Sequence, residues 1–222
     1  MDPICLEYKG KTGDVKRYAT TIDTKQILIE KGARREGTQK VQVIMTQTIT
    51  DVSPDGIFTV QVVIDSGKVM SEGKSLPLPN AGQKIMMKMK KSGVILSCDP
   101  PTDFSQPSFP EGPKNVKERW TSESKVNVQG RPDPITLSYR YILWDLIKVN
   151  AYSCAEIKVS CPETATEIQP GVTQKISATG TTLFEYNQGF LVKSEVETKT
   201  IVEAPEHDVH VETRIGVRVE VV

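Results

Sequence analysis

The chain has two histidines, His207 and His210, both inside Glu203-Ala204-Pro205-Glu206-His207-Asp208-Val209-His210-Val211-Glu212. Imidazole nitrogens and carboxylate oxygens are the donors that transition metals take. On an extended segment His210 and Glu212 share a face, and a turn at Pro205 brings Glu206 or Asp208 near. The two histidines, three apart, point to opposite sides of a strand, so a solvated polar turn accounts for them without a metal. His210 and Glu212 therefore stand only as weak candidate ligands, and the expectation is no metal and no cofactor. Histidine-assisted serine or cysteine chemistry has no other histidine to draw on. Carboxylates are plentiful and no two are singled out. No glycine-rich phosphate loop and no repeated Cys-x-x-Cys motif occurs. The chain reads as a protein that is not an enzyme.

A second chemistry is the local excess of thioethers in Met86-Met87-Lys88-Met89, with Met45 and Met70 elsewhere. Methionine adapts to irregular apolar ligands, so Ile85, Met87 and Met89 are candidates to line a ligand cavity, joined by Tyr139, Tyr141 and Leu143 from a later segment. Ordinary core packing is the simpler reading of the same residues. Lys84, Lys88, Lys90 and Lys91 occupy the alternate positions and their end, where they keep a sheet soluble and discourage edge pairing. Trp120, Tyr139, Tyr141 and Trp144 read as core aromatics, with an exposed ligand platform as the sharper option.

The elements that must position these residues are strands. From Val209 to Val222 the odd positions are Val, Val, Thr, Ile, Val, Val and Val up to Val221, while the even positions are mostly polar. A period of two belongs to an extended chain with one buried and one wetted face. Strand segments are predicted at 14 to 30, 38 to 52, 56 to 65, 83 to 91, 93 to 98, 117 to 128, 135 to 149, 152 to 160, 173 to 187, 189 to 203 and 208 to 222. Their Thr, Val and Ile suit a pleated surface better than a helix. Pro54-Asp55-Gly56, Lys91-Ser92-Gly93 and Asn187-Gln188-Gly189 supply turn chemistry with glycine where positive φ is required. From Ile135 the odd set Ile135, Leu137, Tyr139, Tyr141 and Leu143 is apolar, and then Ile142, Trp144 and Leu146 are too. Either a bulge shifts the phase or both faces are covered.

The segments recur in order between the halves. Arg17-Tyr18 parallels Arg119-Trp120, Gln83-Lys84-Ile85 parallels Gln174-Lys175-Ile176, and Gly93-Val94-Ile95-Leu96 parallels Gly189-Phe190-Leu191-Val192. This suggests a duplicated five-strand unit, although any antiparallel meander looks self-similar. The organisation expected is a first β-meander half at 1–98, a proline-rich connection at 99–116 whose prolines forbid ladder pairing, and a second half at 117–222, the halves forming two units or one continuous domain. A second irregular stretch, Ser66 to Gly82, is read as a long loop. The class is all-β: a long antiparallel meander curled into a barrel, a half barrel or two wrapped sheets.

Lys plus Arg equals Asp plus Glu, 28 of each. No global field collects polyanions, so nucleic acid is not an expected partner. No run is long enough for a transmembrane helix, and Met1-Asp2-Pro3-Ile4 has neither the basic nor the apolar part of a signal peptide. The protein is then cytoplasmic, or extracytoplasmic if a leader was trimmed. Cys154 and Cys161 face opposite ways on one continuous strand, Cys5 and Cys98 are a possible cross-sheet pair, and half-buried thiols are the alternative to any disulfide.

The duplicated meander, the Asp55-Gly56 reversal and the Tyr18 and Trp120 strand openings resemble uncharacterised bacterial cell-envelope β proteins of the half-barrel, lipoprotein-carrier type. The resemblance is topological and covers nearly the whole chain. It implies an extracytoplasmic location and an apolar or amphipathic ligand inside a curved sheet. The alternative is an interaction or structural module that engages a protein partner through strand edges or exposed faces. Neither reading fixes an oligomeric state.

Overall fold

Alternating β-branched sequence produces strands throughout. The computed structural model describes residues 2–101, 106–126 and 133–222, and among them no α-helix occurs. In chain order the strands are β1 (Ile4–Cys5), β2 (Val15–Glu30), β3 (Ala33–Val52), β4 (Ile57–Ser71), β5 (Lys74–Pro77), β6 (Lys84–Lys90), β7 (Ile95–Asp99), β8 (Pro113–Lys114), β9 (Arg119–Val126), β10 (Ile135–Val149), β11 (Tyr152–Gln169), β12 (Val172–Glu185), β13 (Phe190–Ala204) and β14 (Val209–Val221). The far end of the segment expected over 117–128, and residues 102–105 of the connection, lie outside the described residues.

One antiparallel sheet of 12 strands has the order β7-β6-β4-β3-β2-β14-β13-β12-β11-β10-β9, with β5 pairing the end of β4, and β1 and β8 form a separate two-stranded ladder. The halves thus meet where β14 pairs β2 along its whole length, from Val209↔Glu30 to Val221↔Tyr18. The sheet is not closed into a barrel, because its edges β7 and β9 do not pair. The connection lies where closure would occur. Phe109 donates its N–H to Ser92 O (2.7 Å), the Ser108 and Ser122 hydroxyls are 3.4 Å apart, and Tyr8 Oη donates to Pro107 O (3.3 Å).

The sheet curls because one face packs on itself. Phe58, Val60, Val62 and Ile64 of β4 and Ile85, Met87 and Met89 of β6 meet Leu143, Ala155, Ile157 and Phe184 of β10 to β12 in one buried cluster. Leu6 and Tyr8 from the N-terminal segment and Phe109 from the connection complete it. Tyr8, Phe109 and Phe184 form an aromatic triad with ring centroids 4.5 to 5.7 Å apart. A second cluster on the same face joins Ile135 and Leu137 to Cys161, Ile176 and Ala178.

Several sequence expectations are corrected. The stretch from Ser66 to Gly82 is irregular only over 78–82: before that β4 continues to Ser71 through a bulge opposite Ile44 and Met45, turns at Glu72-Gly73, and returns as β5. β11 runs past Pro162 to Gln169, the register shift between Cys161 and Thr164 absorbing the proline. The proline-rich connection does pair, through Cys5↔Pro113 and Ile4↔Lys114, since a two-residue edge ladder tolerates a proline. The phase change after Leu143 is a bulge with Trp144 as the extra residue. That bulge turns Trp144 outward, 39% exposed, with the Lys117 and Lys158 ammoniums 3.6 and 3.5 Å from its ring centroid, so it is not a core aromatic. All four cysteines are unpaired thiols, Cys154 and Cys161 being buried, so the Cys5–Cys98 pairing is not made.

Candidate functional site

The strand registers place the six candidate lining residues on one face of the sheet, the face that carries the core. Ile85, Met87, Met89 and Leu143 are buried in the main cluster, Tyr141 packs against it, and Tyr139 packs against the second cluster. The structure fills the space between them with one another and with Phe58, Val60 and Ile157. Two hollows lie elsewhere. A groove of about 640 Å³ is lined by Asp23, Lys25, Lys40, Glu197, Arg214 and the Glu72–Ser75 turn, and one of about 420 Å³ lies between Cys5, Gly56, Lys90 and Pro110.

The metal candidates do not converge. His210 faces Glu203 across the strand pair (3.7 Å), whereas Glu212 is held by Arg214 (2.7 Å) and Lys199 (3.3 Å). Lys175, hydrogen-bonded to Glu203, and Arg214, hydrogen-bonded to Glu212, hold both carboxyls below the usual carboxylate range. Each acid is thus already committed to a cation. Among the described residues no group of three or more side chains could hold a metal ion.

The same face continues beyond the core onto the central strands, and there its character changes. Following cross-strand partners, one row reads Trp120, Tyr141, Val159, Gly180, Val196, Val217, Ile22, Val41, Val69 and Leu76 from β9 to β5. On β13, β14, β2, β3 and β4 its members Val196, Val217, Ile22, Val41 and Val69 are half-buried and belong to no buried cluster. Apart from Ile215, the next two rows carry hydroxyls and amides: Thr198, Ile215, Thr24 and Gln39, then Thr200, Thr213 and Gln26. A second aliphatic row, Val202, Val211 and Leu28, follows. No charged side chain stands in these four rows on β13, β14 and β2. The alternating residues of β14, expected to be buried, are half-exposed.

Among the described residues three buried polar atoms lack a partner, and all three belong to this face: Thr20 Oγ1, Trp120 Nε1 and Gln174 Oε1. The opposite face is dense with ion pairs, including Lys40–Asp23 (3.3 Å), Arg218–Glu195 (2.6 Å) and Lys175–Glu203 (2.8 Å). On β13, β14 and β2 the side that carries the core is therefore the uncharged one over these four rows. The surface area, 13013 Å² for 24.6 kDa against roughly 10,000 Å² for a compact monomer of this mass, is that of a sheet that stays open. The sequence alone points to β6 and β10, where methionines and aromatics cluster. The signal for the central trough was the Val/Thr alternation of β14 and of even positions in β2, legible only once the two are paired.

The apolar surroundings also govern the tyrosines. Burial pushes Tyr141 up to about 12 and raises Tyr139, Tyr18 and Tyr8 as well. The folded state thus favours the neutral phenol, while the unfolded chain releases its protons near pH 10. The stability these groups contribute is intact below about pH 10 and is lost as pH rises through their folded values. Ultraviolet tyrosinate absorbance recorded beside circular dichroism should show these four ionising together with unfolding. Ionisation of all tyrosines in a still folded chain would count against the packing described. Neither a family model nor a curated protein sequence matches this chain.

Proposed function

We propose that the protein is a non-enzymatic binding protein that holds an apolar or amphipathic ligand in the concave trough of its sheet, and that it works at the cell envelope. One observation carries the reading: an uncharged row of half-buried Val196, Val217, Ile22, Val41 and Val69 that joins none of the buried clusters of the described residues. The filled core around Met87, Met89 and Leu143 moves the ligand away from those residues and onto the central strands. Half-covering five such side chains contributes on the order of 4–7 kcal/mol. Association entropy removes much of that. A ligand held at micromolar strength must therefore also reach the row of Val202, Val211 and Leu28, about 20 Å further along the strands.

The test is native mass spectrometry of gently purified protein, with organic extraction of any bound species, repeated on Ile22→Asp/Val217→Asp and on the outer-face control Thr21→Asp. A stoichiometric apolar adduct should appear in the parent and the control and be reduced about tenfold in the double variant, the effect of about 1.4 kcal/mol. A clean apo mass, with no uptake from a lipid mixture, would sink the reading.

A further inference from the structure

We propose that β7 is a docking edge at which an extended, acidic segment of a partner protein adds as a further strand, separately from any ligand in the trough. β7 is paired on one side only, through Met86↔Asp99, Met87↔Cys98, Lys88↔Ser97 and Met89↔Ile95. No other described residue pairs with it. Free backbone N–H and C=O groups along such an edge are a template for another strand.

The other exposed edges of the large sheet are guarded. β9 carries Arg119 and Glu123, the part of β3 that outruns β4 carries Arg34, Arg35 and Glu36, β5 carries Lys74 and Pro77, and the part of β11 that outruns β10 carries Pro162, Glu163 and Glu167. Charges and prolines are the ordinary defence against strand addition. β7 reads Ile95-Leu96-Ser97-Cys98-Asp99, with one charge at its end. Its own protection is limited to shortness and the bulge at Leu96, which restrict an added strand to a few residues.

Exposed apolar groups concentrate here. Val94 is 44% exposed, Leu96 47% and Met86 37%. Beside them, Lys84, Lys88 and Lys90 project from β6 between the buried Ile85, Met87 and Met89, and Lys91 follows. None of these four lysines makes an ion pair among the described residues, whereas the basic side chains of the central outer face are mostly paired. Asp99 ends β7 and Asp55 borders Lys90 and Lys91, which leaves lysine in excess. An added strand would place alternate residues beside Ile95 and Cys98 on the inner face and the others on the lysine face. Apolar residues suit the first set and carboxylates the second. Charge complementarity of this kind selects partners and speeds their encounter.

The probe is a fluorescein-labelled peptide alternating glutamate and valine, titrated into the full chain and followed by anisotropy. It should saturate, and its lysine-valine counterpart should bind at least about tenfold more weakly. N-methylation of one of the two alternate sets of peptide amides should abolish binding, because that set supplies the pairing N–H groups. Lys84→Glu/Lys88→Glu, on an exposed face where circular dichroism should be unchanged, should weaken binding by about tenfold or more, as should added salt. The proposal is overturned by no saturation up to about 1 mM, by equal binding of acidic and basic peptides, or by full binding of both N-methylated forms. Self-association in sedimentation that the same double variant removes would also overturn it, by giving the edge to a second copy.

Discussion

Phe184→Ala should lower the stability of the fold by about 3–5 kcal/mol, the range for truncating a fully buried phenylalanine whose surroundings cannot collapse. Phe184 is 0% exposed and stands where three separate pieces of chain meet. Its ring is 4.5 Å from that of Phe109 in the connection and 5.1 Å, edge to face, from that of Tyr8 in the N-terminal segment. Its own strand β12 places it opposite Ala155 of β11. Among the described residues no further ring pairs with both Tyr8 and Phe109 at this end of the curled sheet. Removing it leaves a void bounded by two segments that own little ladder of their own: β1 and β8 share only two residue pairs.

Denaturant titrations of Phe184→Ala, Phe109→Ala and the double variant would resolve the joint. Contacting aromatics should show a coupling of about 0.5–3 kcal/mol, the double variant losing less than the sum. Strict additivity, or a loss below about 1 kcal/mol for Phe184→Ala, would mean that the connection and the N-terminal segment are held by their backbone bonds alone. The central strands should be little affected in geometry, since β13, β14, β2 and β3 are joined by ladders of 12 to 16 residue pairs without help from the triad.

The difference between these two regions also explains what could be read from sequence. Strand positions were legible because alternation survives in every long segment, and Gly56, Gly93 and Gly189 adopt the positive φ their turns required. The phase change after Leu143 was legible as a bulge or a doubly covered stretch, and only packing could choose. What was not legible is everything that depends on which strands are neighbours. The row from Val196 to Val69 is assembled from five strands, and no single one of them announces it. The methionines of β6 are legible as core or as a cavity lining, and they are core, because β4, β10 and β11 supply the side chains that fill the space. Ser66 to Gly82 read as loop because glycine and proline punctuate it, yet the Glu72-Gly73 pair is a hairpin turn and Val69 continues the inner row. The two-residue ladder of β1 and β8 is too short to leave any period at all.

Gly189→Ala should destabilise the chain by more than about 2 kcal/mol, whereas Gly171→Ala should cost only about 1 kcal/mol, the penalty for a side chain in the left-handed region. The two glycines have the same backbone, φ +70 and +74, so the strain is common to both. They differ in what a Cβ would meet. At Gly171 the nearest atom is a Glu206 side-chain carbon at 3.7 Å, an ordinary contact. At Gly189 the Cβ would lie 2.4 Å from the backbone nitrogen of Lys9 and 2.6 Å from the carbonyl oxygen of Glu7, and backbone cannot swing aside. The N-terminal segment would have to leave the β12–β13 turn, breaking the Lys9 N–H to Gly189 O bond (3.0 Å) and the Lys9 ammonium bonds to Tyr186 O (3.1 Å) and Asn187 O (3.4 Å). Tyr8 and Leu6 would be drawn out of the core with it. Denaturant titration gives the two losses, and amide hydrogen exchange at Tyr8 and Lys9 gives the location: protection there should fall in Gly189→Ala and stay unchanged in Gly171→Ala. Equal losses in the two variants, with exchange at Tyr8 and Lys9 unaltered, would show that the N-terminal segment does not depend on its seat against this turn.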